Sequence, residues 1–483
     1  MTPSRHIPVT ESKAFIGGKW RDSTQVETLH SPATGETISV VHQSSVADAR
    51  DAVAAAAAAF QEWRKVPAHE RSRLLDLMAA AMFNRAGDFA AQMTAETGKP
   101  IREARTEVAR SLSTMRISAE EAKRVTGEMI PMDAVAPGTG KLGMTLRVPV
   151  GVVAAVTPFN APLNTVCHKL GPALAAGNTL VLKPHPHGAG IAALLAEVAD
   201  EVGLPEGVFN VVHGGPEIGR AITTDPVVRF VNFTGSGAVA EQILREVGLK
   251  RTLLELGGNA PTIVHHDADL AAAVTQCADA AFGLSGQSCI STQRLLVHES
   301  VMAAFSEQLV IAAQARKPGD PWEEDTALGP LLDERSAARI ESWINEAVAE
   351  GAELLCGGGR RDNYVEATVL SAVRPEMKVV CEEIFGPVVT LVSYASLDEA
   401  IQMANDTPWG LKAGVFTASL DAALKAAREL EYGTVNINGA SRSRVDQEPS
   451  GGVKLSGWGK EGPRYAVREM TDERMVSISA STR

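Results

Sequence analysis

Cys289 sits in Gly286-Gln287-Ser288-Cys289-Ile290-Ser291, a run of small residues that would let a carbonyl carbon approach the sulfur closely. Upstream, Glu255 stands in Leu254-Glu255-Leu256-Gly257-Gly258-Asn259-Ala260-Pro261. A thiolate that adds to a carbonyl and a carboxylate that activates the releasing water are the two parts of covalent acyl chemistry. If the carbonyl is also to be oxidised, the rest of the chain must hold the oxidant.

Gly235-Ser236-Gly237-Ala238-Val239-Ala240 matches GxGxxA between a predicted strand and a predicted helix over 238–247. Free N–H groups and the dipole at such a helix start suit a pyrophosphate. A plain strand-helix turn is the alternative reading. Glu255 lies about 20 residues beyond Gly235, where the dinucleotide fingerprint places the acid that grips the ribose. The Leu-Gly-Gly-Asn that follows it favours catalysis. Lys183, in Val181-Leu182-Lys183-Pro184, ends a buried strand where a ribose could meet it, or simply snorkels there.

These residues need elements to position them. Apolar spacing at i, i+3, i+4 predicts helices over 49–65, 71–85 and 103–124, followed by a Gly/Pro-rich interval at 127–143 and a β-like run at 144–148 that could form a hairpin arm. Strands are predicted at 151–157, 179–182, 208–212 and 227–233. Helices at 165–175 and 191–202, with a short one before 227, separate them. Apolar strands alternating with helices of this length imply right-handed βαβ units in a doubly wound parallel sheet, which binds ligands at its carboxyl edge. After Glu255 the style repeats, with helices at 270–282, 301–315, 335–350 and 397–405 and strands at 294–298, 388–394, 414–417 and 434–437. A second α/β domain carrying the thiol at its edge is expected.

At 483 residues the chain exceeds what one hydrophobic core sustains. Its 45% hydrophobic and 22% charged residues are those of a globular enzyme. A net charge of −12 without a basic block argues against nucleic acid, whose phosphates demand a cationic footprint. The five cysteines, Cys167, Cys277, Cys289, Cys356 and Cys381, show no zinc-type spacing, so no metal is expected. They read as reduced thiols, four of them inert packing residues. The opening Met1-Thr-Pro-Ser-Arg-His-Ile-Pro8 lacks the apolar run of a signal peptide, and the alanines at 53–60 are too few to span a bilayer. No membrane partner and a cytoplasmic location are expected.

The chain resembles the aldehyde dehydrogenase superfamily over nearly its whole length. The resemblance rests on Thr157-Pro158-Phe159-Asn160, His168-Lys169-Leu170-Gly171-Pro172-Ala173-Leu174, Ala176-Gly177-Asn178, Lys183-Pro184, Phe233-Thr234-Gly235-Ser236, Leu254-Glu255-Leu256-Gly257-Gly258 and Gly286-Gln287-Ser288-Cys289. It continues through Glu382-Glu383-Ile384-Phe385-Gly386-Pro387, Asn405-Asp406-Thr407-Pro408-Trp409-Gly410-Leu411 and Gly451-Gly452-Val453-Lys454-Leu455-Ser456-Gly457.

The resemblance implies an α/β fold: a Rossmann-type cofactor domain from 1–126 and 149–256, a catalytic domain at 257–445, and an oligomerisation arm with a C-terminal strand at 127–148 and 465–483. It implies NAD or NADP as cofactor and a homodimer or homotetramer. Cys289 would be the nucleophile that forms a thiohemiacetal and then a thioester. Asn160 and the Cys289 N–H would hold the oxyanion, Glu255 would be the hydrolytic base, and Lys169 with Glu461 would relay its proton. On the cofactor side, Lys183 would meet the adenosine ribose, Ser236 the pyrophosphate and Glu383 the nicotinamide ribose, with Phe385 beside the ring. Thr157, Pro158, Phe159, Gly235, Leu256 and Gly257 would complete that site.

Some positions depart from the family. Ala240 replaces a glycine of the cofactor turn, Pro186 stands where NAD-preferring members often carry glutamate, and Ser450 replaces an aromatic. Without a carboxylate at 186 to repel a 2′-phosphate, NADP stays open beside NAD. Gly248-Leu-Lys-Arg251, Cys289-Ile-Ser-Thr-Gln-Arg294 and Asn438-Gly-Ala-Ser-Arg-Ser-Arg-Val-Asp446 look closest to the branch of lactaldehyde, phosphonoacetaldehyde and non-phosphorylating glyceraldehyde-3-phosphate dehydrogenases. Substrates there are small and polar or anionic, so Arg110, Arg442 and Arg444 are candidates for an anionic tail, against the alternative of salt bridging. Two other readings compete with hydrolytic oxidation. A CoA-acylating enzyme would usually lack the glutamate at 255, and an inactive structural relative would not need all of these groups.

Overall fold

The computed structural model describes residues 9–479. Met1–Pro8, the stretch without the apolar run of a signal peptide, and 480–483, the end of the expected C-terminal segment, lie outside the described residues.

Two sheets carry the molecule. The first has eight strands, in the order Gly457–Trp458, Arg251–Glu255, Val228–Thr234, Val152–Val156, Thr179–Lys183, Phe209–Val211, Ala14–Ile16, Lys19–Arg21. Its five middle strands run parallel, and antiparallel strands close both sides. Val152, Val153, Ala154 and Ala155 are all buried, as a strand covered on both faces by helices requires. Ile101–Ala122 and Asn164–Ala176 pack together over one face of this sheet, and their apolar side chains share a cluster with Val153, Leu180 and Leu182.

The second sheet has seven strands, in the order Glu353–Cys356, Thr368–Ser371, Val388–Tyr394, Thr292–His298, Ala260–Val264, Lys412–Phe416, Thr434–Ile437. The chain crosses from the first sheet to the second through Leu256-Gly257-Gly258-Asn259. Glu255 therefore closes a strand at the carboxyl edge of one sheet, and Ala260 opens a strand at the amino edge of the other. Ala260 pairs in register with Thr292, which brings the segment before Thr292, including Cys289, to the same edge. The two chemical groups meet because two sheets abut end to end.

Lys141–Pro149 pairs antiparallel with Thr471–Ser479 along their whole length, with Met129–Ile130 on the other side. The hairpin-like interval is thus a three-stranded sheet, and it exposes Leu142, Leu146, Met475 and Ile478. Sequence periodicity located most helices within a few residues but passed over Ala86–Thr97 and Leu420–Glu429. It also passed over the strands Arg251–Glu255 and Ala260–Val264. The first is only partly apolar, and the second carries Pro261, which lacks an N–H and weakens a strand signal. Among the described residues no helix is long and apolar enough to cross a membrane.

Candidate active site

Cys289 follows a backbone turn of unusual conformation. Leu284, Ser285 and Gly286 all have left-handed φ, at 56°, 52° and 72°. A left-handed conformation costs roughly 1–2 kcal/mol for each residue with a Cβ. Neighbouring segments hold it in place: Leu284 N–H donates to Glu103 Oε1 (2.9 Å), Ser285 Oγ to the Gly329 carbonyl (2.7 Å), and Leu332 N–H to Gln287 Oε1 (3.0 Å). Gly286 is required here, because a Cβ would run into the Gly386 carbonyl.

Asn160 lies just beyond the strand Val152–Val156 and donates from Nδ2 to the Gln287 carbonyl at 2.9 Å. Its amide is thereby fixed beside the cysteine loop. Burial pushes the Cys289 thiol up to about 12, and the Glu383 and Glu255 carboxylates add to the shift. Arg444 opposes them. The resting sulfur is a thiol, so the nucleophile forms only when a base takes its proton.

Glu255 is buried, and its Oε1 has no hydrogen-bond partner among the described residues. Burial and the nearby Glu461 carboxylate push its pKa up to about 8, against the pull of Arg444, Lys169 and Lys460. Glu461 goes the other way. Burial alone would raise it, but Lys169, His168 and Arg444 hold it well below the carboxylate range. Its Oε1 accepts from Lys169 Nζ at 3.0 Å, and that ammonium also donates to Asn232 Oδ1 (2.8 Å) and Thr234 Oγ1 (2.7 Å). Two carboxylates with separated pKa values divide the proton handling between them: Glu255 can take and return a proton near neutrality, while Glu461 remains an anion.

One cleft of about 500 Å³ unites these groups with the expected cofactor residues. Its walls include Asn160, Glu255, Cys289, Lys183, Ser236 and Glu383. Ser236 caps the helix Gly237–Val247, and its hydroxyl is not used in capping. Glu383 accepts from Gly258 N–H at 3.0 Å, and burial lifts its pKa to about 7. A side chain at Gly257 would collide with that carboxylate. Phe159 and Phe385 meet edge to face, 6.2 Å apart. Thr157, Pro158, Gly235 and Leu256 line the same cleft. The donor, the carboxylate and the free helix start fit a dinucleotide, whose nicotinamide accepts a hydride when bound.

The arginines separate. Arg444 lines the cleft half-buried, its Nη2 lying 3.2 Å from His168 Nε2 and 3.4 Å from Glu461 Oε2, while its Nε has no partner among the described residues. Arg110 reaches the cleft but is clamped in a bidentate pair with Asp446, at 3.2 and 2.7 Å. Arg442 is a correction: it bonds Glu103 (3.2 Å) and the Asp279 carbonyl and does not line the cleft. Lys169 also stays off the cleft wall and reaches it through Glu461 and Thr234.

Sequence reasoning assigned no role to Asp446 or His168. Asp446 accepts from Arg110 and Asn164 and faces His168 at 3.1 Å. Burial would raise its pKa, but His168 and Arg110 hold it far below the usual range. The partners lie in two helices far from Asp446 in the chain, so no local spacing around Asp446 could reveal them. Cys167, Cys277 and Cys356 are buried as expected of packing residues, whereas Cys381 is exposed.

The aldehyde dehydrogenase family model matches residues 20–476. A 3-sulfolactaldehyde dehydrogenase of Priestia aryabhattai is 42% identical, covering 96% of this chain and 97% of its own length. Aldehyde dehydrogenase 21 of Physcomitrella patens, solved in complex with the reaction product succinate, superposes with a TM-score of 0.96 at 38% identity, covering 98% of this chain and 99% of that one. A lactaldehyde dehydrogenase of Escherichia coli superposes with a TM-score of 0.94 at 34% identity, covering 98% and 100%. With the thiol and two carboxylates gathered in one cleft of this fold, the chain belongs to the aldehyde dehydrogenase family and is an oxidoreductase acting on aldehydes.

Proposed function

We propose that the enzyme oxidises a small anionic aldehyde to its acid by NAD(P)-dependent, hydrolytic covalent catalysis at Cys289. The observation that carries this reading is Glu255, a buried carboxylate with an unpartnered oxygen in the same cleft as the thiol. The Cys289 proton passes to a water in the cleft as sulfur bonds to the aldehyde carbon, and the carbonyl π pair moves onto oxygen to give an oxyanion. Asn160, through the Nδ2 proton it does not give to the Gln287 carbonyl, and the Cys289 N–H would receive that charge. A dinucleotide held by Lys183, Ser236 and Glu383 would supply the hydride acceptor that takes the Cys289 adduct to the thioester level. Glu255 then removes a proton from water as the water oxygen attacks the thioester carbon. The C–S bond breaks, the acid departs, and the sulfur recovers a proton. Glu461, held by Lys169, keeps the Glu255 proton labile.

Arg444 supports an anionic substrate tail. It lines the cleft half-buried, and among the described residues its carboxylate contact is a single 3.4 Å one to Glu461, whereas Arg110 is held in a bidentate pair by Asp446. The sulfonate and succinate in the names of similar proteins fit the same choice. The exposed apolar side chains on Lys141–Pro149 and Thr471–Ser479 suit contact with further copies, and a homodimer or homotetramer is the reading they support.

A panel of succinate semialdehyde, 3-sulfolactaldehyde, lactaldehyde and propanal, read by reduced-cofactor absorbance with NAD and NADP in turn, tests the proposal. Higher kcat/KM for the anionic members is expected. Faster turnover of propanal would refute the anionic tail, and an acyl-CoA product formed only with CoA would refute hydrolysis. Light scattering checks the assembly, and a monomer would refute it.

A further inference from the structure

The loop from the strand Thr179–Lys183 to the helix Ala189–Glu201 reads Lys183-Pro184-His185-Pro186-His187, and no step above uses either histidine. His185 lines the cleft with Lys183, Ser236 and Glu383. Its ring packs against Phe159 at 5.3 Å, and Phe159 meets Phe385, so the imidazole belongs to the aromatic wall of that cleft.

The surroundings fix both its orientation and its tautomer. The His187 backbone N–H donates to His185 Nδ1 at 3.1 Å, so the ring proton resides on Nε2. The loop is tied down in turn: His187 Nδ1 lies 2.6 Å from the Glu96 carbonyl oxygen, and Gly190 N–H donates to Glu96 Oε1 at 2.9 Å. Pro184 and Pro186 fix φ on either side. Burial, reinforced by His187 and Lys183, pulls the imidazole down to about 3, which keeps it neutral. Its Nε2 finds no acceptor among the described residues, so one oriented donor is left over on the cleft wall.

The chemistry of this stretch selects its partner. A ribose diol is gripped by a carboxylate, yet Pro186 supplies none. Lys183 donates only to the Pro184 carbonyl, and the carboxylates acting on it from a distance, Glu217 and Glu27, belong to other elements. An ammonium and an N–H donor side by side suit a phosphate.

We propose that His185 is a cofactor-recognition residue that donates from Nε2 to a phosphate oxygen of the bound dinucleotide, next to Lys183. This rests on reading the cleft as a dinucleotide site. The test is direct titration of wild type, His185→Ala and His185→Phe with NAD and with NADP by calorimetry, with melting curves to show that each variant is folded. Phenylalanine retains the packing on Phe159 and lacks the donor. Losing one hydrogen bond to a charged group weakens binding roughly 10- to 100-fold. Both variants should show that loss, for both cofactors if the diphosphate is the acceptor, or for NADP alone if it is the 2′-phosphate. Unchanged affinities would overturn the proposal, as would a phenylalanine variant that binds like wild type. If wild type itself bound neither cofactor, the dinucleotide reading of the cleft would fall instead.

Discussion

Glu255→Gln separates the two halves of the proposed reaction. The glutamine is nearly isosteric and remains at the end of Arg251–Glu255, so the fold and the Cys289 loop should be unaffected. It cannot take a proton from water. A positioned general base contributes about 100- to 10,000-fold, so steady-state turnover should fall by that range while the first enzyme equivalent of reduced cofactor still appears. The structure adds a pH signature. Burial and Glu461 lift the Glu255 pKa to about 8, and hydrolysis needs its ionised form. At pH 7 the protonated form of Glu255 is therefore favoured. Steady-state turnover of the wild type should therefore rise with pH above neutrality to a plateau once Glu255 is ionised. The glutamine variant should lose this limb and stay flat over the same range. Stopped-flow fluorescence of the reduced cofactor measures the burst, and a buffered series measures the limb. A vanished burst would place Glu255 before hydride transfer, and a surviving limb would assign the titration to another group.

Asn160→Ala removes one oxyanion donor and should slow the burst roughly 100- to 1,000-fold, measured by stopped flow; an unchanged burst would remove Asn160 from the reacting centre. Arg444→Met should raise KM for anionic aldehydes roughly 10- to 100-fold and affect propanal far less, since it deletes a charged hydrogen-bond donor; equal losses would indicate packing. Arg110→Ala strips Asp446 of its bidentate partner, so similar losses with neutral and anionic aldehydes are expected, and an effect confined to anionic ones would show that Arg110 binds the tail. Gly286→Ala adds a Cβ at φ 72° against the Gly386 carbonyl and should cost roughly 1–3 kcal/mol, seen as a lower Tm in calorimetry; an unchanged Tm would mean the turn relaxes freely.

The sequence made Cys289, Glu255 and the Gly235 turn conspicuous because each is set off by small residues that only close approach requires. The parallel strands were legible for a similar reason: Val152–Val156 and Thr179–Lys183 are buried on both faces and read as unbroken apolar runs. What stayed hidden depends on contacts between distant segments. Whether an arginine is free or neutralised is decided by its partner, and Arg110 finds Asp446 while Arg442 finds Glu103. His185 was passed over because its meaning lies in a backbone N–H that fixes its tautomer, which no residue pattern records. The divergent pKa values of Glu255 and Glu461 likewise arise from burial and from Lys169, not from local sequence.

The central claim is a covalent acyl group on one sulfur. Glu255→Gln mixed with a semialdehyde and NAD(P), quenched in acid and weighed as intact protein, should gain the mass of one acyl group, and peptide mapping should place it on Cys289. A protein of unchanged mass despite reduced cofactor in the same mixture, or an acyl group on another cysteine, would contradict the account.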